Sequence, residues 1–139
     1  MYNETIVYYS KNPPNKWILP NFNISFWEEN RICWDDLKVY MQIEDAIIKA
    51  WSFDWDTAII TTACASIFWE SIIGMSVEEV LRYDYFYIEE LIGMPISTRR
   101  KQASVLWLLT TRNAIHKYLN DGRKDTFEDV IRWESSESC

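Results

Sequence analysis

The residues best suited to chemistry are Cys33 and Asp35, a thiol and a carboxylate separated only by Trp34. A deprotonated thiol is both a soft ligand for iron or zinc and a nucleophile. Two ligands fall short of the four a structural zinc site needs. A single cysteine suffices to accept sulfur as a persulfide, although the neighbouring carboxylate disfavours the thiolate unless Arg31 or a lysine offsets it. The pair therefore reads either as one nucleophile beside an incomplete set of metal ligands or as two residues with no chemical role.

The other candidates are weaker. Cys64 reads as a small thiol in the core and Cys139 as a free thiol on a polar tail. His116, the one histidine, reads as a surface residue near a helix end. Asp54, Asp56 and Glu70, and the pair Asp35-Asp36, have no spacing specific to acid–base work and read as solvated faces. There is no glycine-rich phosphate loop, no Ser/His/Asp order and no CxxC, so no enzyme chemistry is indicated. Three sparse cysteines do not make a disulfide framework and fit a reducing, cytoplasmic setting, a mature organellar form being the alternative.

The elements that must position Cys33 and Asp35 follow from periodicity. Residues 3–10 read as a short helix ended by Asn12-Pro13-Pro14-Asn15. Leu37, Val39, Met41 and Ile43 alternate with polar residues, as in a strand with one buried face. A tight connection at Glu44-Asp45-Ala46 leads into a second extended run, so 37–53 is a hairpin, and Phe22, Ile24 and Phe26 supply a third strand. From Ile59 to Ile72 the apolar period becomes three and four, an amphipathic helix with Gly74 just beyond its end. Ser76-Val77-Glu78-Glu79 is a capping box opening the next short helix. Gly93 and Pro95 break the chain before a long helix over 98–119, and Thr126 caps a last one through Trp133. This order predicts an α+β fold: a small antiparallel sheet of about three strands with helices packed on one face.

Composition sets the outer limits. The chain has 139 residues, 48% of them hydrophobic and 25% charged, which suits one globular domain over 1–139 with a disordered tail at 134–139. A net charge of −7 gives no electrostatic reason to bind nucleic acid or an anionic membrane. No apolar run approaches a membrane span, and the N-terminus lacks a secretory signal. Eight tryptophans are more than so small a core needs. Trp51, Trp55 and Trp69 pack in the core or mark a partner face.

Several stretches, in order, resemble one family. Val7-Tyr8-Tyr9-Ser10-Lys11-Asn12-Pro13-Pro14-Asn15 is similar to the "HYENPRN" opening of IscU/NifU-type iron–sulfur scaffolds. Ile32-Cys33-Trp34-Asp35 resembles their "xCGD" motif. Gly74 to Glu79 resembles "GKSLDEA", Ile88-Glu89-Glu90-Leu91 resembles "IAEEL", and Arg100 to Leu106 sits where the family has "K-x-C-A-x-L-A". The resemblance, over about residues 3–120, implies the scaffold fold, an iron–sulfur cluster or zinc as cargo, and a cysteine desulfurase or other assembly proteins as partners, with an oligomer or larger complex possible. It also implies four ligand positions. Two are kept, Cys33 and Asp35. The other two fall on Ala58 and Ala103, which cannot bind metal. Gln102 replaces a residue that is often His or Lys in the family, and Trp34 and Thr57 replace its flanking glycines; Trp34 should fix or cover its loop. Two expectations follow: a divergent scaffold or sulfur acceptor with a degraded metal site, and a pseudo-scaffold that binds no metal and acts as a structural or regulatory subunit.

Overall fold

A computed structural model of the chain describes residues 4–30, 35–93, 96–97 and 100–131. The expectations for Cys33, Trp34, Cys139 and the 134–139 tail lie outside these residues.

The chain opens with helix α1 (Glu4–Lys11), followed by strands β1 (Ile24–Asn30), β2 (Asp35–Glu44) and β3 (Ile47–Asp54). The strands form one antiparallel sheet in the order β1-β2-β3. The alternation read from sequence is the buried face of β2: Leu37, Val39, Met41 and Ile43 are all at most 2% exposed. The third strand starts at Ile24 and runs on to Asn30, pairing with Asp35. Asp45 and Ala46 carry φ of 53° and 63°, two successive left-handed residues that give the hairpin a turn twisted to match its strands.

Helices α2 (Ile59–Ile72) and α5 (Lys101–Leu119) pack on the sheet, with α3 (Val77–Val80), α4 (Tyr85–Ile92) and α6 (Phe127–Ile131) around them. Gly74, at φ 91°, lies just beyond the end of α2, a conformation that favours glycine. The Ser76 hydroxyl accepts the Glu79 N–H at 3.1 Å, the first half of the expected capping box. The short helix expected after Ser76 is α3, and a further helix follows it: Asp84 caps α4 by accepting the Phe86 N–H. Thr126 precedes α6, and its N–H and hydroxyl both donate to Asp129.

α5 is the centre of the molecule. Every residue from Ala103 to His116 is buried, because the sheet, α2, α4 and α6 surround it. Trp107 packs on Phe68 of α2, their ring centroids 5.6 Å apart, and edge-on against Trp51 of β3 at 6.3 Å. The Trp51 indole N–H donates to Thr111 at 2.9 Å, so the polar end of a buried aromatic is satisfied. The tryptophan alternatives divide: Trp51 is core, Trp69 is half-buried against it, and Trp55 is exposed.

The free edge of β3 is covered at both ends. Ile48 exchanges backbone hydrogen bonds with Met75 and Gly74, and the Phe53 N–H donates to Asn15.

Candidate functional site

Asp35 begins β2, Ala58 immediately precedes α2, and Ala103 lies in the first turn of α5. The fold brings these three elements to one point. One carboxylate oxygen of Asp35 accepts the Ala58 N–H at 2.9 Å, and the other accepts the Thr61 hydroxyl. That hydroxyl also lies 3.3 Å from the Ala103 carbonyl oxygen. The ligand positions inferred by counting along the sequence are therefore neighbours in space.

Asp35 departs from its expected place on a solvated face: it is 0% exposed. The cause lies in α2. A helix leaves its first N–H groups without partners, and Ala58, at the N-cap position, has no side chain to accept one. Asp35 supplies the missing acceptor from the neighbouring strand, and its negative charge suits the positive end of the helix dipole. Burial nonetheless raises its pKa above the usual carboxylate range, an effect opposed by the Thr61 and Ala58 hydrogen bonds and reinforced by Asp36.

The site's other replaced residue is also engaged. The Gln102 side-chain oxygen accepts from Asn30 Nδ2 at 3.2 Å, joining the start of α5 to the end of β1. A neutral amide thus fastens two elements.

The donor set does not fit a metal or cluster held by this chain's described residues. Ala58 and Ala103 offer no side-chain ligand atom, which leaves Asp35 as the one side-chain donor among the described residues of the site. Among the described residues, no three His, Cys, Asp or Glu side chains gather as a metal site. Cys64 is 1% exposed, as expected of a core thiol, and burial pushes its pKa up to about 12. Asp56 and Glu70 are exposed and Asp54 is partly so.

His116 is a correction. Expected at the surface, it is 2% exposed. Its Nδ1 lies 2.8 Å from Asp121 and its Nε2 2.9 Å from Asp125. The same Asp125 oxygen accepts Arg112 Nε at 2.9 Å, and Arg112 Nη1 donates to the Tyr83 carbonyl. The cluster ties the end of α5 to the segment leading into α6. Sequence reasoning missed it, and missed Thr61. The available signal for Thr61 was an alanine at the helix start, which meant that the cap had to come from elsewhere.

Residues 1–125 match the NifU-like N terminal domain family. The chain belongs to that family. Among curated proteins, the iron–sulfur cluster assembly scaffold protein IscU of Thermotoga maritima is 31% identical over 80 residues. That stretch is 58% of this chain and 56% of the relative, so the alignment spans little more than half of either. Among solved structures, a NifU-like protein (N-terminal part) from Brucella abortus superposes with a TM-score of 0.69 at 14% identity, covering 88% of this chain and 96% of that one. A protein described as an assembly scaffold for the SUF system of Fervidobacterium islandicum gives 0.67 at 19%, covering 82% and 96%. These two likenesses establish the NifU-like fold, an α+β arrangement with a three-stranded sheet. Among the described residues no helix is long and apolar enough to cross a membrane.

Proposed function

We propose that this protein serves iron–sulfur cluster assembly as a sulfur-accepting member of the scaffold family whose own metal site is degraded. One observation carries this reading: Asp35, by resemblance the carboxylate ligand, has both oxygens engaged by α2 beside two alanines at the remaining described ligand positions. Cys33 is then the one thiol at a site position, and sulfur transfer needs only one. Its thiolate would attack the terminal sulfur of a persulfide on a cysteine desulfurase. The new S–S bond forms at Cys33 as the donor's S–S bond breaks, and the donor cysteine leaves as thiolate. No metal takes part, and a reducing cytoplasm keeps Cys33 available. The protein turns over no substrate of its own; it carries sulfur.

The engagement of Asp35 also favours a second reading, in which the fold is kept for its docking surfaces and the protein is a structural or regulatory subunit. One experiment separates the two. The protein and its Cys33→Ser variant are prepared without oxygen, analysed for iron, zinc and labile sulfide, and incubated with a desulfurase and sulfur-labelled cysteine. Label on the wild type that is absent from the variant supports sulfur acceptance. Equal label on both, or none on either, removes it and leaves the docking subunit. Stoichiometric metal lost with Cys33 would overturn both readings.

A further inference from the structure

The far end of α5 carries a feature unrelated to Asp35. Lys117 lies 14 positions beyond Ala103, about 21 Å along the helix at ~1.5 Å per residue. There Lys117, Arg123 and Lys124 line a cleft of about 260 Å³ together with Phe26, His116 and Asn120. Three cations in one cleft need explaining in a chain of net charge −7.

The nearby acids make their close contacts with other groups, although Arg123 acts through space on Asp121 and Asp129, and Lys124 on Glu28. Asp125 accepts from both Arg112 and His116. Asp121 faces His116 with one oxygen and accepts the Arg123 backbone N–H with the other. Glu28 accepts from Asn113, and burial raises its pKa against the pull of that bond and of Lys124. Among the described residues, no ion pair joins Lys117, Arg123 or Lys124 to a carboxylate.

Cations at a helix C-terminus commonly serve its last carbonyls. Here the Asn120 N–H already bonds the His116 and Lys117 carbonyls. The Lys117 ammonium instead reaches the Ser25 carbonyl on β1 at 3.1 Å, which leaves it two further N–H donors. Lys124 lies 5.9 Å from the centre of the Phe26 ring. The cleft thus offers a guanidinium, two ammonium groups and an aromatic wall.

We propose that this cleft binds a small phosphate-bearing polyanion, with Arg123, Lys124 and Lys117 directed to the phosphate oxygens and Phe26 beside them. A guanidinium fork matches phosphate geometry and a lysine supplies a point charge. The test is an NMR titration of the full chain at low salt with inorganic pyrophosphate and, separately, ADP. The expected result is saturable shifts confined to residues 113–124 and the strand around Phe26. Affinity should fall about tenfold or more in the Arg123→Gln/Lys124→Gln variant, whose melting temperature should match wild type because both side chains are exposed. Tighter binding of ADP would assign the aromatic wall to a base; equal binding would make the diphosphate alone the ligand. Shifts that do not saturate, that scatter over the surface, or that persist at equal affinity in the variant would overturn the proposal.

Discussion

The Asp35 carboxylate accepts the backbone N–H of Ala58 at 2.9 Å. A strand residue thereby caps a helix that has no capping side chain of its own. Removing it should leave the partly buried Ala58 N–H without an acceptor and the buried Thr61 hydroxyl with only the Ala103 carbonyl at 3.3 Å. Asp35→Ala is expected to cost about 1–3 kcal/mol, read by chemical denaturation. An unchanged midpoint would show that α2 does not depend on this cap.

Asp35→Asn should behave differently, because the amide oxygen still accepts while the buried charge disappears. The pKa of Asp35 is raised in the folded state. Its contribution to stability is therefore fully present below the ordinary value of 3.8 and is lost as pH rises through the higher folded value. The melting temperature of Asp35→Asn relative to wild type should increase between pH 4 and neutrality. A pH-independent difference would contradict the sign.

Asp121 runs the opposite way. Its pKa is lowered, first by the Arg123 backbone N–H and then by His116. Its contribution is present above 3.8 and is lost as pH falls through the lower folded value. Asp121→Asn should lower the melting temperature near neutral pH and converge on wild type as pH falls below 3.8, which flattens the acid limb, as thermal melts across that range would reveal.

His116 faces carboxylates through both ring nitrogens. His116→Ala removes both hydrogen bonds at once and should cost roughly 1–3 kcal/mol. Accelerated hydrogen exchange in α6 and at the end of α5 would accompany it; a uniform change across the protein would argue against a local tie.

Cys64 should be inert. In a Cys33→Ser/Cys139→Ser background, a thiol reagent at pH 8 should find no reactive group in the native protein and one after unfolding, since burial holds the thiol near 12. Rapid native labelling would mean that α2 opens readily.

Much of this was legible in sequence. The alternation from Leu37 to Ile43, the helical period after Ile59, and the punctuation at Gly74 and Ser76 are local signals, and the structure follows them. Counting also named Ala58 and Ala103, which the fold sets beside Asp35 and Thr61 respectively. The direction of the Asp35 side chain was not legible, because it depends on a helix terminus 23 residues away meeting the start of β2. The burial of His116 was hidden for a related reason. A helix enclosed on all sides has no solvent face, and the partners of His116 come from the turn beyond it. The start of α4 was a missed local signal, since Asp84 is an ordinary capping residue.

The bonds along β3 bear on how any partner could attach. A sheet edge with free backbone groups invites a visiting strand, from another protein or from a second copy in an aggregate. Here Gly74 and Met75 occupy one end of that edge and Asn15 the other. The stretch between is shorter than the usual strand of about five to six residues. Recognition on that side must therefore read side chains and loops, and a chain rich in aromatic residues is kept from zipping onto itself there.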